Sequence, residues 1–197
     1  FAGMGKYTLA LHLVARGCDF LTPDRAAVEP SPVSGGQPVL HGIPKHPRLN
    51  PGTALGNAEL APLLACALPD ELRRAYSGLP REQLFALEHK YDARIDACFG
   101  PGRMTLAAPL CGVVVLNWSH GGGATKAGRV DLATRPDLMA ALRKEPGLFY
   151  LPEALHTARL SEADCARVLA GVPALELSGG SDFAAGADAC LELLAAN

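Results

Sequence analysis

The chain has 197 residues, 49% of them apolar and 19% charged, with a formal net charge of -2, enough for one domain with a sizeable core. It carries no basic excess with which to hold a polyanion, so nucleic acid is not an expected partner. A membrane span is not expected either, because Pro, Gly and Asn interrupt the richest apolar stretch, Leu106 to His120.

In chain order, Gly5 to Arg16 reads as a helix entered from a glycine pair and stopped by Gly17. Cys18 to Thr22 reads as a short strand, followed at once by Asp24-Arg25. Loop, helix and strand in this order suit an α/β nucleotide fold. Residues 29–56 turn to Pro, Gly, Ser and His and are expected to form an excursion over the site. Residues 57–90 form a helical insertion: Asn57 caps one helix, Pro69 precedes a second that opens at Asp70, and Pro80 sits in the first turn of a third. Tyr91 to Cys98 alternates apolar and polar residues, the period of a half-solvated strand, and Gly100 to Arg103 is its turn.

Val113 to Leu116 is apolar and β-branched, expected as a central strand buried on both faces. Gly121-Gly122-Gly123 has no lysine and helix behind it and is weak as a second phosphate loop. Ser161 to Asp164 has capping-box form at the head of a helix running to about Ala170. Ala174 to Leu177 is a strand, Gly179-Gly180 its turn, and Asp182 the cap of a last helix that buries Phe183, Ala187, Cys190, Leu191 and Leu194. The six cysteines lie far apart without a C-x-x-C pair. Buried reduced thiols in a cytoplasmic protein are expected, and the opening residues lack the form of a secretory leader.

Chemistry concentrates at the first helix. In the pattern G-x-x-x-x-G-K-[ST], loop N–H groups wrap phosphate oxygens, the lysine neutralises them, and the hydroxyl reaches Mg²⁺. Gly3, Met4, Gly5 and Lys6 match its second half, with Tyr7 in the hydroxyl position and Thr8 one place later. Lys6 at a helix N-terminus favours phosphate. A tyrosine hydroxyl lies too far out to replace the serine oxygen, which leaves Thr8 as the candidate metal ligand. Asp24, expected at the carboxyl edge of the sheet, is a candidate Mg²⁺ ligand or base for an attacking hydroxyl. An ordinary cap or surface ion pair is the alternative for Asp24-Arg25. Arg25, Lys45 and Arg48 are candidate phosphate or substrate clamps, the last two stiffened by Pro44, Pro47 and Pro51. Spacing alone leaves a solvated loop equally open. Arg103 is a candidate second clamp on the moving phosphoryl group. Asp92 and Asp96 are expected on a solvated strand edge, and His12 as a packed helix residue.

The chain resembles the HPr kinase-related family, in particular the branch called HprK-related kinase B. The resemblance rests on Gly3-Met4-Gly5-Lys6 with Thr8 to Leu13, on Asp24-Arg25, and on Gly42-Ile43-Pro44-Lys45 with Pro47 to Thr53. It continues through Lys90-Tyr91-Asp92, Phe99 to Arg103, Val115 to Trp118, and Ser178-Gly179-Gly180 with Asp182-Phe183. It implies one P-loop phosphotransferase domain over 1–197, of HPr kinase and phosphoenolpyruvate carboxykinase type, with a mixed sheet flanked by helices. The strand ahead of the loop would precede Phe1, so the chain is expected to begin inside its motif, N-terminally truncated. ATP and Mg²⁺ are the implied cofactors, a hydroxyl-bearing small molecule or protein the acceptor, and a homo-oligomer the assembly. Catalytic roles fall to Lys6, Asp24 and Arg103, nucleotide binding to Gly3 through Thr8. Pro23 and Tyr7 depart from the HPr kinase pattern, so a catalytically weakened nucleotide-binding or protein-interaction module is the alternative expectation.

Overall fold

The computed structural model describes residues 4–33, 35–142 and 161–196. Helix α1 (Lys6–Ala15) is apolar on most of its circumference and is buried on two sides. Leu9 packs with Leu116, Trp118, Leu177, Ala187 and Leu193. Leu11 and Val14 pack in a second core with Phe20, Leu49, Leu60, Leu63 and Ile95. Full burial of a leucine such as Leu11 stabilises by roughly 1.5–3 kcal/mol, so α1 ties the two cores together. Gly17, at φ 106°, ends the helix, where its N–H bonds to the Val14 carbonyl.

Three small sheets are present among the described residues. Strands β1 (Ala26–Glu29), β2 (Val39–Gly42) and β5 (Ala107–Pro109) form one antiparallel set. Between them in sequence, β3 (Arg48–Leu49) pairs with β4 (Tyr91–Asp92). The third sheet has the order β6 (Val113–Ser119), β8 (Ala174–Gly180), β7 (Thr125–Val130), with β6 parallel to β8 and β7 antiparallel to it. The fold is therefore mixed α/β, with its mixed sheet against α1 and against α9 (Phe183–Ala195).

Helices α2 (Pro51–Leu55), α3 (Ala61–Ala67), α4 (Asp70–Ser77) and α5 (Arg81–Ala86) make the expected helical region, with a core of Ala54, Leu68, Tyr76 and Leu84. Asn57 does not cap it as expected; turn residues intervene before α3. Helix α7 (Pro136–Leu142) and strand β7 were not anticipated. Helix α8 (Glu162–Leu169) has the anticipated capping box: the Ser161 hydroxyl accepts from Asp164 N–H, and the Asp164 carboxylate from Ser161 N–H.

Several expectations are corrected. Cys18 to Thr22 makes a single bridge, Phe20 with Met104, because only Phe20 exchanges backbone hydrogen bonds there. Tyr91 to Cys98 is a strand for two residues only. The Ala93 N–H then bonds to Pro47, the Ile95 N–H to His46, and the chain turns into α6 (Ile95–Phe99). Asp92 and Asp96 therefore share no strand face. Val113 to Leu116 is the outer member of its sheet among the described residues, with its valines half-buried, and β8 is central. Gly179-Gly180 belongs to β8 rather than to a turn after it. The last helix buries Ala187 and Cys190 as expected, together with Gly186 and Leu193, but Phe183 and Leu191 are only half-buried and Leu194 is 46% exposed.

Candidate nucleotide-phosphate site

The first N–H groups of any helix lack intrahelical acceptors and carry the positive end of its dipole. At α8 and α9 this chain supplies acceptors of its own: Ser161 for one, and for the other Asp182, whose carboxylate takes the Ala184 and Ala185 N–H groups. As at α2, the N-cap residue of α1, Gly5, supplies no side-chain cap, and no acidic residue lies in the first turn. Lys6 is instead its first residue, exposed, behind Gly5 at φ 79°. Gly5 is needed for a second reason: a Cβ there would lie 2.7 Å from the Phe183 ring. The approach is fixed by Trp118, whose indole N–H donates to the Met4 carbonyl at 2.9 Å and whose ring stands edge-on to Phe183, centroids 5.1 Å apart. Trp118 ends near the carboxyl end of β6, and Phe183 begins α9 just after β8. The entry to α1 thus sits at the carboxyl ends of the parallel pair, where open α/β sheets bind ligands.

Asp24 is exposed, and its carboxylate bears on Tyr7: burial, and secondarily the Asp24 charge, push the Tyr7 phenol above its ordinary pKa. The charge of Asp24 is therefore felt at Tyr7, in the first turn of α1. The Thr22 hydroxyl lies 3.3 Å from the Arg25 carbonyl and 3.1 Å from that of Ile43, so Asp24-Arg25 and Ile43-Pro44-Lys45 run side by side. Register continues this, with Ala26 opposite Gly42. Arg25 and Lys45 are both exposed there. Arg48 lies farther along, on β3, with its guanidinium 3.8 Å from the Asp92 carboxylate. Gly3 lies outside the described residues.

Two assignments change. Thr8 is 7% exposed, a buried core-facing position rather than an open one, which disfavours it as a Mg²⁺ ligand. Arg103 stands at the other end of α1: its Nη2 donates to the carbonyls of Val14 at 3.0 Å and Cys18 at 2.7 Å. From Lys6 to Val14 the helix rises about 12 Å at 1.5 Å per residue. Arg103 closes the helix C-terminus and does not clamp phosphate. For Mg²⁺ the donor set is then Asp24 alone. Magnesium is commonly held by one or two carboxylates plus phosphate oxygens and water, so one carboxylate suffices beside a nucleotide. Among the described residues no group of three or more His, Cys, Asp or Glu forms a metal cage.

Sequence reasoning passed over a polar pair at the same edge. His120, next after β6, and Ser181, next after β8, meet with Ser181 Oγ 3.1 Å from His120 Nδ1. Their common signal was position, each one residue beyond a parallel strand. The glycines beside them have a packing role: a Cβ at Gly122 would strike the Gly179 carbonyl, and one at Gly180 that of Gly123. His12 lies under the site. It is 4% exposed, stacks on Phe183 at 5.7 Å, and bonds through Nδ1 to Glu59 at 2.8 Å. Two cavities among the described residues, of about 240 and 640 Å³, draw none of their lining from α1. The site is an open edge. Comparison of the chain with family models, with curated proteins and with solved structures gave no match.

Proposed function

We propose that this protein binds ATP through the entry to α1 and transfers its γ-phosphoryl group to a hydroxyl acceptor, as a kinase of the HPr kinase-related kind. One observation carries the reading. The helix that follows Gly5-Lys6 has no side-chain cap from its N-cap residue and opens at the carboxyl edge of a parallel strand pair, with the charge of Asp24 acting on Tyr7 in its first turn. Loop amides and Lys6 would hold the β- and γ-phosphates. Asp24 would accept the acceptor's proton and is the residue that would hold Mg²⁺, which neutralises phosphate charge when bound. Arg25 and Lys45 remain the candidate clamps for substrate or phosphate. The acceptor is a hydroxyl-bearing small molecule or protein.

A second reading, a nucleotide-binding module with weakened transfer, is favoured by Tyr7 in the hydroxyl position together with the burial of Thr8. Calorimetric titration with ATP, paired with transfer assays on Asp24→Asn and Tyr7→Ser, separates the two. The kinase reading expects Mg²⁺-dependent transfer that Asp24→Asn abolishes. Binding without transfer, converted to turnover by Tyr7→Ser, supports the module. Binding unchanged by Lys6→Ala contradicts both.

A further inference from the structure

Helix α3 packs against α6 through the shared core that holds Leu60, Leu63 and Ile95, with Cys98 and Phe99 packed on it. Each helix carries one cysteine on this contact. The exposed Cys66 thiol donates to the Ala97 carbonyl at 3.8 Å, on the peptide that leads into Cys98, and lies near enough to Cys98 to raise that thiol's pKa. Two thiols on packed helices, far apart in sequence and set at the same peptide of α6, are placed for one covalent bond.

We propose that Cys66 and Cys98 form a reversible disulfide by exchange with a low-molecular-weight disulfide such as oxidised glutathione. The exposed Cys66 thiolate attacks one glutathione sulfur, and the S–S bond breaks to release one glutathione thiolate. Cys98, its proton lost to solvent, then attacks Cys66 Sγ, closes the protein disulfide and expels the second glutathione. Two protein thiols are oxidised as one disulfide is reduced to two thiols, which balances the exchange. The order follows from exposure, since Cys66 is open and Cys98 half-buried. Burial, with the Cys66 hydrogen bond second, pushes the Cys98 thiol up to about 12, so the closing step quickens as pH rises.

The bond would act on the cradle of α1. Ahead of α3, Glu59 and Asn57 hold His12; after α6, the turn to Arg103 holds the Val14 and Cys18 carbonyls. Joining α3 to α6 links the two supports and constrains the unfolded chain.

The test incubates the reduced full chain with oxidised glutathione, blocks remaining thiols by alkylation, and maps peptides by mass without reduction. The expected result is a Cys66–Cys98 linked peptide in most molecules, a melting temperature several degrees higher, and reversal by dithiothreitol. In Cys98→Ser, glutathione should remain trapped on Cys66; in Cys66→Ser, Cys98 should stay free. Alkylation of both cysteines in the wild-type chain, a stable glutathione adduct on Cys66 beside a free Cys98, or linkage of either to Cys18, Cys111, Cys165 or Cys190 would overturn the proposal.

Discussion

The two ends of α1 are finished in opposite ways. At the C-terminal end the chain spends several side chains: Arg103 on the Val14 and Cys18 carbonyls, Arg16 on the Ala184 carbonyl and Asp188, and His12 on Glu59 and Asn57. At the N-terminal end it places a left-handed glycine and Lys6, with no side-chain cap from the N-cap residue and no acidic residue in the first turn. Orphan groups at a helix end must be met by side chains, water or ligand. Helices α2, α4, α5 and α6 also lack a side-chain cap, so what sets α1 apart from α8 and α9 in the proposed reading is the missing cap together with Gly5 and Lys6 at the carboxyl edge of a parallel pair.

The strongest way to break this contrast is Lys6→Ala. Losing a charged hydrogen bond to phosphate costs about 1.5–3 kcal/mol, so ATP affinity should fall roughly tenfold to a hundredfold, read by calorimetry. Arg103→Met attacks the opposite end: it leaves two half-buried carbonyls without their charged donor, and denaturant titration should show a loss of about 1.5–3 kcal/mol. ATP affinity should stay at the wild-type value, which separates bracing from binding. Gly5→Ala sharpens the comparison further. It forces a left-handed alanine against Phe183, so stability should fall by about 1–2 kcal/mol or more and ATP affinity with it.

The smallest expected effect is a pH dependence at the braced end. The hydrogen bond from His12 holds the Glu59 carboxyl below the usual carboxylate range, with Arg16 contributing less. A depressed folded-state pKa adds stability above the unfolded value, about 4.3, and that stability is lost as pH falls through the folded one. Since the Glu59 side chain is 40% exposed, the contribution is screened to about 0.5 kcal/mol. Glu59→Gln should flatten the wild-type slope between about pH 5 and 3 in melting experiments, because its amide does not titrate. An unchanged slope would remove Glu59 from the account of bracing.

What the residues disclosed in advance follows from how local each signal was. Lys6–Ala15, the capping box at Ser161 and the Asp182 cap were legible because apolar period and cap residues lie within one or two turns. The alternation from Tyr91 to Cys98 misled because pairing partners, not period, decide a strand, and β3 offers only Arg48 and Leu49. Arg103 misled because a Gly-Pro-Gly-Arg turn says nothing about which carbonyls lie across the fold. The His120 and Ser181 contact joins residues 61 positions apart, which no local pattern reports.

The claim that the open end of α1 is the nucleotide site is tested most directly by ATP titration of the wild-type chain, Lys6→Ala and Arg103→Met under one buffer. The account predicts binding by the wild type, retained by Arg103→Met and weakened at least about tenfold by Lys6→Ala. Equal affinities for the wild type and Lys6→Ala, or loss in Arg103→Met alone, would contradict it.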